Sequence, residues 1–596
     1  MLRGFSIRAY HQGTELFSLN DLKVNEESVN RIDIRTQSEF VMGDLFVDGD
    51  KVAFFELWPT GISSVQLGTY GRLANADLKL EFENNQNNYW GLGSSDLNGS
   101  TIFQLDSQLL HPDHFGSIFD SSTPRTLLLN SETTRLLSST TDAFISENRD
   151  YFNGIFSTSS TEQLLQNNNK MQVPTDLLLL PWLNIHFTDT QTTQNQLEEA
   201  QNLGPIGVVI THNALGGWQE YPEDFAELAS SQSYKWIVHL ESSFETNTDN
   251  ADFAPLLHTQ DNTLLTTNNN VHLDLNSPAL KSWIAEHKER LKQNNVDGWS
   301  SELQLDELYG VTDDDYLQLK HLWNSFLIEG ESLLVGSNVL QSTIPTFFTV
   351  FSNQNSDSNA INISMSGFPY QIKTHNEHMA FDQWEEELAL ATFSPLMNVS
   401  WPSFSDTESI HLEAWNTYAS ERARLLPYLK THSEMRTLGI TPPETIHHDW
   451  NILNCWMLGS ELIIIPNGAE EQQLPSSSRW YNYWTEEPVE MITASSESPL
   501  PLVLIPQNSI VPTLEIPPIS ADADELNQTD SSRVLKLFGA QGHFTEADGT
   551  TYSFNSSSST AIETEFEVQE GNLELNGLTI EISGPKLRNY IIRYTP

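Results

Sequence analysis

The sequence predicts a multidomain fold of the α/β plus all-β class. We expect a (β/α)8 TIM barrel, preceded by an N-terminal β-sandwich and followed by two C-terminal β-sandwich-like domains. Three observations lead to this prediction. The chain has 596 residues, whereas a single core stops growing near roughly 250–300 residues. Short alternating runs of apolar residues occupy both ends of the chain, as in antiparallel sheets. The middle alternates continuous apolar runs with helical patterns, which indicates a parallel sheet with helical crossovers.

The predicted N-terminal β-sandwich covers residues 1–173. Runs such as FVDGDKVAFFELW (46–58) and ADLKLEFE (76–83) alternate apolar and polar residues and end at Gly, Asn or Ser. This pattern is typical of half-buried strands. Few long helical periods occur in this region, so a sandwich is the simplest interpretation.

The predicted barrel covers residues 174–435. Three nearly continuous apolar runs suit buried parallel strands, and these are 177–187, 204–213 and 234–244. The best-defined helix begins at Ser277 and Pro278, a capping residue followed by proline in the first turn. The segment VDGW (296–299) then begins the next strand. The region holds about seven or eight such βα units, which suits a barrel.

Strand-like runs return after the barrel, and we assign residues 436–520 to a proximal and 521–596 to a distal C-terminal β domain. ELIIIPN (461–467) and PLVLIP (501–506) are examples of these runs. The Pro- and Asp-rich stretch 512–530 is predicted to be a linker between the two domains.

The charge of the chain excludes several kinds of partner. It has 29 Lys and Arg against 80 Asp and Glu, a formal net charge of −51, which would repel nucleic acid and anionic membranes. The single cysteine, Cys455, rules out an intrachain disulfide and a cysteine-based metal site. We expect no cofactor and no bound metal. The absence of a signal-like apolar segment and of a membrane-spanning run predicts a cytoplasmic location, and the oligomeric state is left open.

Several segments of the chain together resemble glycoside hydrolase family 31, the α-glucosidase-like enzymes. No single segment is specific, but their order and spacing over about 500 residues are. They are NYWGLG (88–93), ATFSPLMN (391–398), RARLLPYL (422–429), CWMLGSELIIIPN (455–467), RWYNYWT (479–485), PLVLIPQNSIVP (501–512) and LFGAQGHFTEADGTTYSF (537–554). The resemblance implies the same domain order, a carbohydrate ligand and retaining hydrolysis of α-glycosidic bonds.

The resemblance also implies where the nucleophile belongs. The family places an aspartate just past a Val-Asp-Gly-Phe segment on the fourth barrel strand, and counting from VDGW (296–299) brings Glu302 to that position. Its carboxylate lies one methylene further out, enough to disturb an in-line attack. A rival register uses LQLDELYG (303–310) and places Asp306 in the role. The alternative is that both are solvated carboxylates on a loop.

The acid/base position departs further from the family. Where the family has Trp-Ser-Gly-Asp-Gln, this chain has VFSNQNSDSN (350–359), with Asn353 or Gln354 at the aspartate. Neither amide donates a proton near neutral pH. Asp357 lies three or four residues further on and replaces the acid only if the loop is rebuilt.

Other positions that contact sugar in the family are replaced as well. The replacements fall at 211–213, 335–342 and 371–378 and at Asn398 and Ser400. Candidate sugar contacts in this chain are Trp299, Trp182, Trp401 and His375, although most tryptophans are expected in the core. Two hypotheses remain: a hydrolase with a rebuilt site, and a catalytically inactive carbohydrate-binding or scaffolding protein on the same fold.

Overall fold

The computed structural model describes the backbone of every strand named below. It describes side chains at residues 31–35 and 43–46, at a few single positions and, with gaps, in 176–243, 270–300, 380–401, 409–434, 455–492 and 500–596.

The N-terminal region consists of antiparallel strands that form two larger sheets and two small ones. One sheet has the order β10-β12-β13-β16-β8-β7-β6-β5 and the other has the order β11-β14-β15-β9, while β1 pairs with β2 and β3 with β4. The strands are β1 (Ile7–His11), β2 (Thr14–Leu19), β3 (Lys23–Val24), β4 (Glu27–Ser28), β5 (Arg31–Thr36), β6 (Val41–Val47), β7 (Asp50–Pro59), β8 (Ser63–Thr69), β9 (Leu78–Glu83), β10 (Tyr89–Trp90), β11 (Phe103–Gln104), β12 (Gly116–Asp120), β13 (Arg125–Leu129), β14 (Thr133–Leu137), β15 (Thr141–Ser146) and β16 (Tyr151–Ser157).

Eight of the described strands then close into a parallel barrel in chain order, because the last of them pairs with the first. The strands of this region are β17 (Trp182–His186), β18 (Val208–His212), β19 (Lys235–Glu241), β20 (Ser243–Glu245), β21 (Thr266–Thr267), β22 (Asn270–His272), β23 (Gly298–Glu302), β24 (Leu334–Ser337), β25 (Phe348–Phe351), β26 (Tyr370–Lys373) and β27 (Leu396–Ser400). Strands β20 to β22 form a separate small sheet beside the barrel strands. The predicted parallel barrel is therefore present.

In the part of the chain that the structure describes, helices lie between four pairs of consecutive barrel strands. The described helices are α1 (Asp176–Leu179), α2 (Thr190–Gln201), α3 (Glu223–Ser231), α4 (Pro278–Gln293), α5 (Phe381–Thr392), α6 (Ser409–Arg424), α7 (Leu426–Glu434) and α8 (Ala523–Thr529). The predicted start of α4 is confirmed, since Ser277 is its N-cap and accepts a hydrogen bond from the Ala279 amide. None of the described helices combines the length and apolarity needed to cross a membrane.

The sequence predicts a single strand for the apolar run 177–187, but the structure divides this run into two elements. Its first part is the end of α1, and the strand begins only at Trp182. Pro181 separates them, because proline disfavours helical backbone in the residue before it. The apolar end of the helix and the apolar strand therefore form one continuous pattern in the sequence, although they are two elements.

A fully buried arginine ties the barrel helices together. Arg422 on α6 donates hydrogen bonds to the carbonyls of Leu179 (2.8 Å), Thr392 (3.0 Å) and Pro395 (2.6 Å). Leu179 and Thr392 are the last residues of α1 and α5, where helix carbonyls lack partners and the dipole is negative. Burial lowers the pKa of Arg422 to about 9, so the guanidinium is still charged at neutral pH.

Two β regions follow the barrel, antiparallel except for the parallel pair of β37 and β41 in the second. The first main sheet has the order β28-β29-β30-β35-β32-β33, and the second has the order β36-β37-β41-β39-β38 with β40 paired to β41. The strands are β28 (Ile440–Thr441), β29 (Trp456–Leu458), β30 (Leu462–Ile465), β31 (Gln472–Gln473), β32 (Trp480–Asn482), β33 (Pro488–Val489), β34 (Met491–Ile492), β35 (Leu502–Pro506), β36 (Ser509–Thr513), β37 (Ser532–Phe538), β38 (Gln541–Thr545), β39 (Thr551–Ser556), β40 (Ile562–Leu575) and β41 (Leu578–Thr595).

The stretch 512–530 is more ordered than the predicted linker. Its first residues belong to β36, which pairs with β37 of the last sheet, and its last residues include α8. Asp522 caps α8 by accepting hydrogen bonds from the amides of Asp524 and Glu525. The boundaries of the four domains given by the sequence stay predictions.

Candidate functional site

Polar side chains occupy the middle and the carboxyl ends of the barrel strands, and active sites of this architecture are built at the carboxyl ends. They come from five neighbouring strands, and all but one are at least nine-tenths buried. The half-buried exception is on β18. These residues are Asn184 on β17, His212 on β18, His239 on β19, Ser300 on β23 and Asn398 on β27.

Hydrogen bonds link the first part of this polar layer across the closing seam of the barrel. The Asn184 amide donates to the Asn398 side-chain oxygen, and the Asn184 backbone carbonyl accepts from the Trp401 amide at 2.8 Å. Nε2 of His212 lies 3.4 Å from Oδ1 of Asn184. Strands β27, β17 and β18 are therefore joined through one asparagine side chain.

The second part of the layer contains two histidines and a carboxylate. The rings of His212 and His239 are 4.3 Å apart between centroids. Nδ1 of His239 lies 3.0 Å from Oγ of Ser300, and its Nε2 lies 3.8 Å from Oε1 of Glu241. The potential ligand atoms of His212, His239 and Glu241 all lie within 4.8 Å of one another. These three side chains are the described residues in the barrel able to share a metal ion.

The nucleophile candidate Glu302 is the last residue of β23, the fourth barrel strand. Its Cα pairs in register with that of Glu241 at the end of β19. Two acidic residues therefore end neighbouring strands at the mouth of the barrel. The side chain of Glu302 lies outside the described residues, as do Asp306, Asp357 and His375, so their roles stay predictions.

The positions that replace family sugar contacts on the eighth strand are buried. Asn398 is 1% exposed and Ser400 is 6% exposed. The carbonyl of Ser400 accepts a hydrogen bond from Nε1 of Trp384 on α5 at 3.0 Å. Both residues are thus engaged with the barrel itself.

Three tryptophans predicted as sugar contacts lie in the hydrophobic core. Trp182 and Trp299 have no exposed surface, and Trp401 is 3% exposed. Trp182 donates from Nε1 to the Leu178 carbonyl at 2.8 Å, and Trp401 packs edge-on against Trp415. Stacking on a sugar requires an open ring face, and these rings have none in this structure.

The sequence interpretation did not single out His239, Glu241 or Ser300. A histidine within an apolar strand has the same local pattern whether it is a core residue or a ligand. In the structure each of them occupies one of the last three positions of its strand, near the mouth, whereas the apolar run predicted for the third strand extends to residue 244.

Comparisons with known proteins identify the fold. No protein-family model matches the sequence, and no curated protein matches it either. The structure is similar to a family 31 dextranase from Flavobacterium johnsoniae complexed with glucose, with 12% identity and a TM-score of 0.62 over 95% of this chain and 84% of that chain. It is also similar to a family 31 sulfoquinovosidase from E. rectale in complex with an aza-sugar inhibitor, with 12% identity and a TM-score of 0.57 over 88% of this chain and 94% of that chain.

A third similar structure is a family 31 alpha-xylosidase from a soil metagenome complexed with xylose. It shares 12% identity, with a TM-score of 0.54 over 85% of this chain and 98% of that chain. The protein therefore has the fold of the family 31 glycoside hydrolases, a (β/α)8 barrel with β-sandwich domains. The resemblance found in the sequence motifs is confirmed at the level of the fold.

Proposed function

We propose that this protein binds an α-glycoside at the carboxyl end of its barrel and has lost the hydrolytic carboxyl pair of family 31. The observation that carries the proposal is the pair of amides after the sixth barrel strand. Strand β25 ends at Phe351, and Asn353 and Gln354 follow where the motif register requires an aspartic acid. Retaining glycosidases need a carboxylic acid that protonates the leaving oxygen, and an amide does not supply that proton.

A carbohydrate ligand is supported by the fold and by the composition of the mouth. The solved structures with this fold include complexes with glucose, xylose and an aza-sugar inhibitor. The first to fourth and eighth strands of this barrel carry amide, hydroxyl and imidazole groups from their middle to their carboxyl ends. Such groups donate and accept hydrogen bonds, as recognition of sugar hydroxyls requires.

Retaining hydrolysis is the second candidate function, and one observation favours it. Glu302 ends the fourth barrel strand, beside Glu241. The end of the fourth strand is the position of the nucleophile that the family resemblance implies. In this version Glu302 or Asp306 attacks the anomeric carbon, and Asp357 protonates the leaving group. The retaining mechanism requires the two carboxyl groups to approach to about 5–5.5 Å.

A panel of aryl α-glycosides and a glycan array separate the two functions. We expect the wild-type protein to bind an α-glycoside saturably and to show no more turnover than the variants Glu302→Gln and Asp306→Asn. The matched control is Glu565→Gln, because Glu565 is an exposed glutamate on β40, far along the chain from the barrel. Turnover that one of the two barrel variants abolishes, and the control retains, would establish hydrolysis instead. Failure of every α-glycoside to bind would overturn the proposal.

A further inference from the structure

The cluster of His212, His239 and Glu241 has the composition of a metal site. His212 is the last residue of β18, and His239 and Glu241 are on β19 with one residue between them. Alternate residues of a strand point to the same face, so the side chains of His239 and Glu241 lie on the same face, close to His212. We propose that these three residues bind one divalent transition metal ion of the zinc class at the mouth of the barrel.

The distances within the cluster are close to those of a coordinated ion. Their ligand atoms lie within 4.8 Å of one another, and Nε2 of His239 is 3.8 Å from Oε1 of Glu241. Tetrahedral zinc, with bonds of about 2.0–2.2 Å to nitrogen and oxygen, places its ligand atoms roughly 3.3–3.5 Å apart. Small rotations of the half-buried side chains of His212 and Glu241 close that difference.

Neighbouring polar groups orient the histidine rings, as outer partners of metal ligands usually do. Ser300 lies 3.0 Å from Nδ1 of His239, which leaves the Nε2 atom directed to Glu241 for the metal. Asn184 lies 3.4 Å from Nε2 of His212 and limits rotation of that ring. His239 is the most buried ligand, at 3% exposure, and forms the fixed side of the site.

The donor set also defines the kind of ion. Two imidazoles and one carboxylate suit zinc and its neighbours in the first transition row better than calcium or magnesium, which prefer oxygen ligands. Three protein ligands leave at least one open position on the ion. Because the ligands lie at the strand ends, the open position faces the mouth of the barrel.

The proposal does not depend on the proposed sugar binding, since it is tested with the metal alone. Full-length protein is treated with a chelator, desalted and titrated with Zn²⁺ by calorimetry in 0.3 M NaCl, which screens unspecific attraction to the acidic surface. We expect one ion per chain. Co²⁺ should occupy the same site and give the visible absorption of a four- or five-coordinate ion.

Variants assign the ion to the cluster. We expect His212→Ala and Glu241→Gln each to weaken Zn²⁺ binding by more than about 100-fold, and Ser300→Ala to weaken it by about 10–100-fold, as for an outer partner. The control is His186→Ala, an exposed histidine at the end of β17, which should bind as the wild type does.

Two results would overturn the metal site. One is the absence of saturable Zn²⁺ and Co²⁺ binding to the wild type, which would leave a purely hydrogen-bonded cluster. The other is unchanged affinity in His212→Ala and Glu241→Gln while circular dichroism shows that both are folded, since the ion would then bind elsewhere. The wild-type titration tests the proposal without any variant, so the proposal can be rejected even if a variant misfolds.

Discussion

Asp530, at the end of α8, binds basic side chains from two strands of the last sheet. It accepts hydrogen bonds from Nη2 of Arg588, and it also pairs with Arg533 and Lys586. Both arginine side chains are almost fully buried, at 1% and 3% exposure. Burial alone raises the pKa of Asp530, but the attraction of the arginines outweighs it and holds the pKa well below its usual range.

This lowered pKa makes part of the stability depend on pH. A carboxylate with a lowered pKa in the folded state stabilises fully above its unfolded pKa of about 3.9, and the contribution is lost as the pH falls through the folded value. We expect Asp530→Asn to destabilise the protein at pH 7 by about 1.5–3 kcal/mol, because two buried arginines lose one of their carboxylate partners while Glu546 and Asp548 remain. The difference from wild type should shrink below about pH 4.

Urea unfolding at pH 7 and pH 3 measures both effects. Glu565→Gln on β40 is the control, and as an exposed substitution it should change the free energy of unfolding by no more than about 0.5 kcal/mol. A loss of stability in Asp530→Asn that is equally large at both pH values would show that the charge of Asp530 is not the cause.

Individual residues of the candidate site were only partly accessible from the sequence. Glu302 was found because a motif anchors the start of its strand, and the structure places it at the strand end. The contact of His212 with His239 joins separate strands, and no local pattern encodes it. The burial of Trp182 and Trp299 also depends on what the completed barrel packs around them.

At the scale of elements, a hairpin fastens the first C-terminal sheet to helix α7. Strands β29 and β30 are joined through Gly459, whose φ of +66° lies in the left-handed region. Tyr428 on α7 donates a hydrogen bond to the Leu458 carbonyl at 2.6 Å and accepts one from the Glu461 amide at 3.2 Å. His432 on the same helix lies 3.0 Å from a carboxylate oxygen of Glu461.

A methyl group at Gly459 should break this junction. A Cβ there would lie 2.4 Å from Oη of Tyr428 and 2.7 Å from the His432 ring, so the helix and the turn must separate. We expect Gly459→Ala to destabilise by about 1–2 kcal/mol for the left-handed backbone, and by about 1–3 kcal/mol more for the hydrogen bonds it disturbs.

The chain offers a matched control for this substitution. Gly549 also has a positive φ, +86°, but a Cβ there would meet no atom within 4 Å. Gly549→Ala should therefore show only the backbone penalty of about 1–2 kcal/mol. Equal losses in the two variants, measured by urea unfolding, would mean that contact with α7 contributes nothing.

Elements with a clear period and clear end signals were predictable, and elements with ambiguous ends were not. Helix α4 has its cap and proline where the sequence indicates. Apolar residues at helical spacing over about 407–433 predict one long helix. The structure has α6 and α7 there, with a break at Leu425, because Pro427 has no amide hydrogen to continue the helix. Runs of alternating apolar and polar residues predicted strands, but the pairing of strands that are distant in the chain is seen only in the structure.

At the scale of the whole molecule, the order of the architecture followed from alternation in the sequence. The eight barrel strands close into one barrel only when the last strand pairs with the first, and β17 and β27 lie more than 200 residues apart. Motif order supplied the same architecture independently. The catalytic state does not follow from either, because fold and function are separable.

The acidic surface is the remaining property of the whole chain that has a measurable consequence. The chain has 80 acidic and 29 basic residues and a formal net charge of −51. The carboxylates are closer together in the folded protein than in the expanded unfolded chain, so their repulsion destabilises the folded state. Salt screens this repulsion over a length that falls from about 30 Å at 0.01 M to about 10 Å at 0.1 M. Screening should therefore stabilise the folded state.

We expect the unfolding temperature to rise by about 4–8 °C between 0.01 and 0.3 M NaCl, which corresponds to about 2 kcal/mol for a domain of 150–250 residues. Thermal unfolding followed by circular dichroism, in buffer containing a chelator to exclude metal binding, measures the rise. At pH 5.0, closer to the isoelectric point of about 4.4, the net charge is smaller and the same salt step should have less effect. A temperature that is constant up to 0.3 M and rises only at molar salt would contradict screening, because exclusion of salt from the surface acts at those higher concentrations.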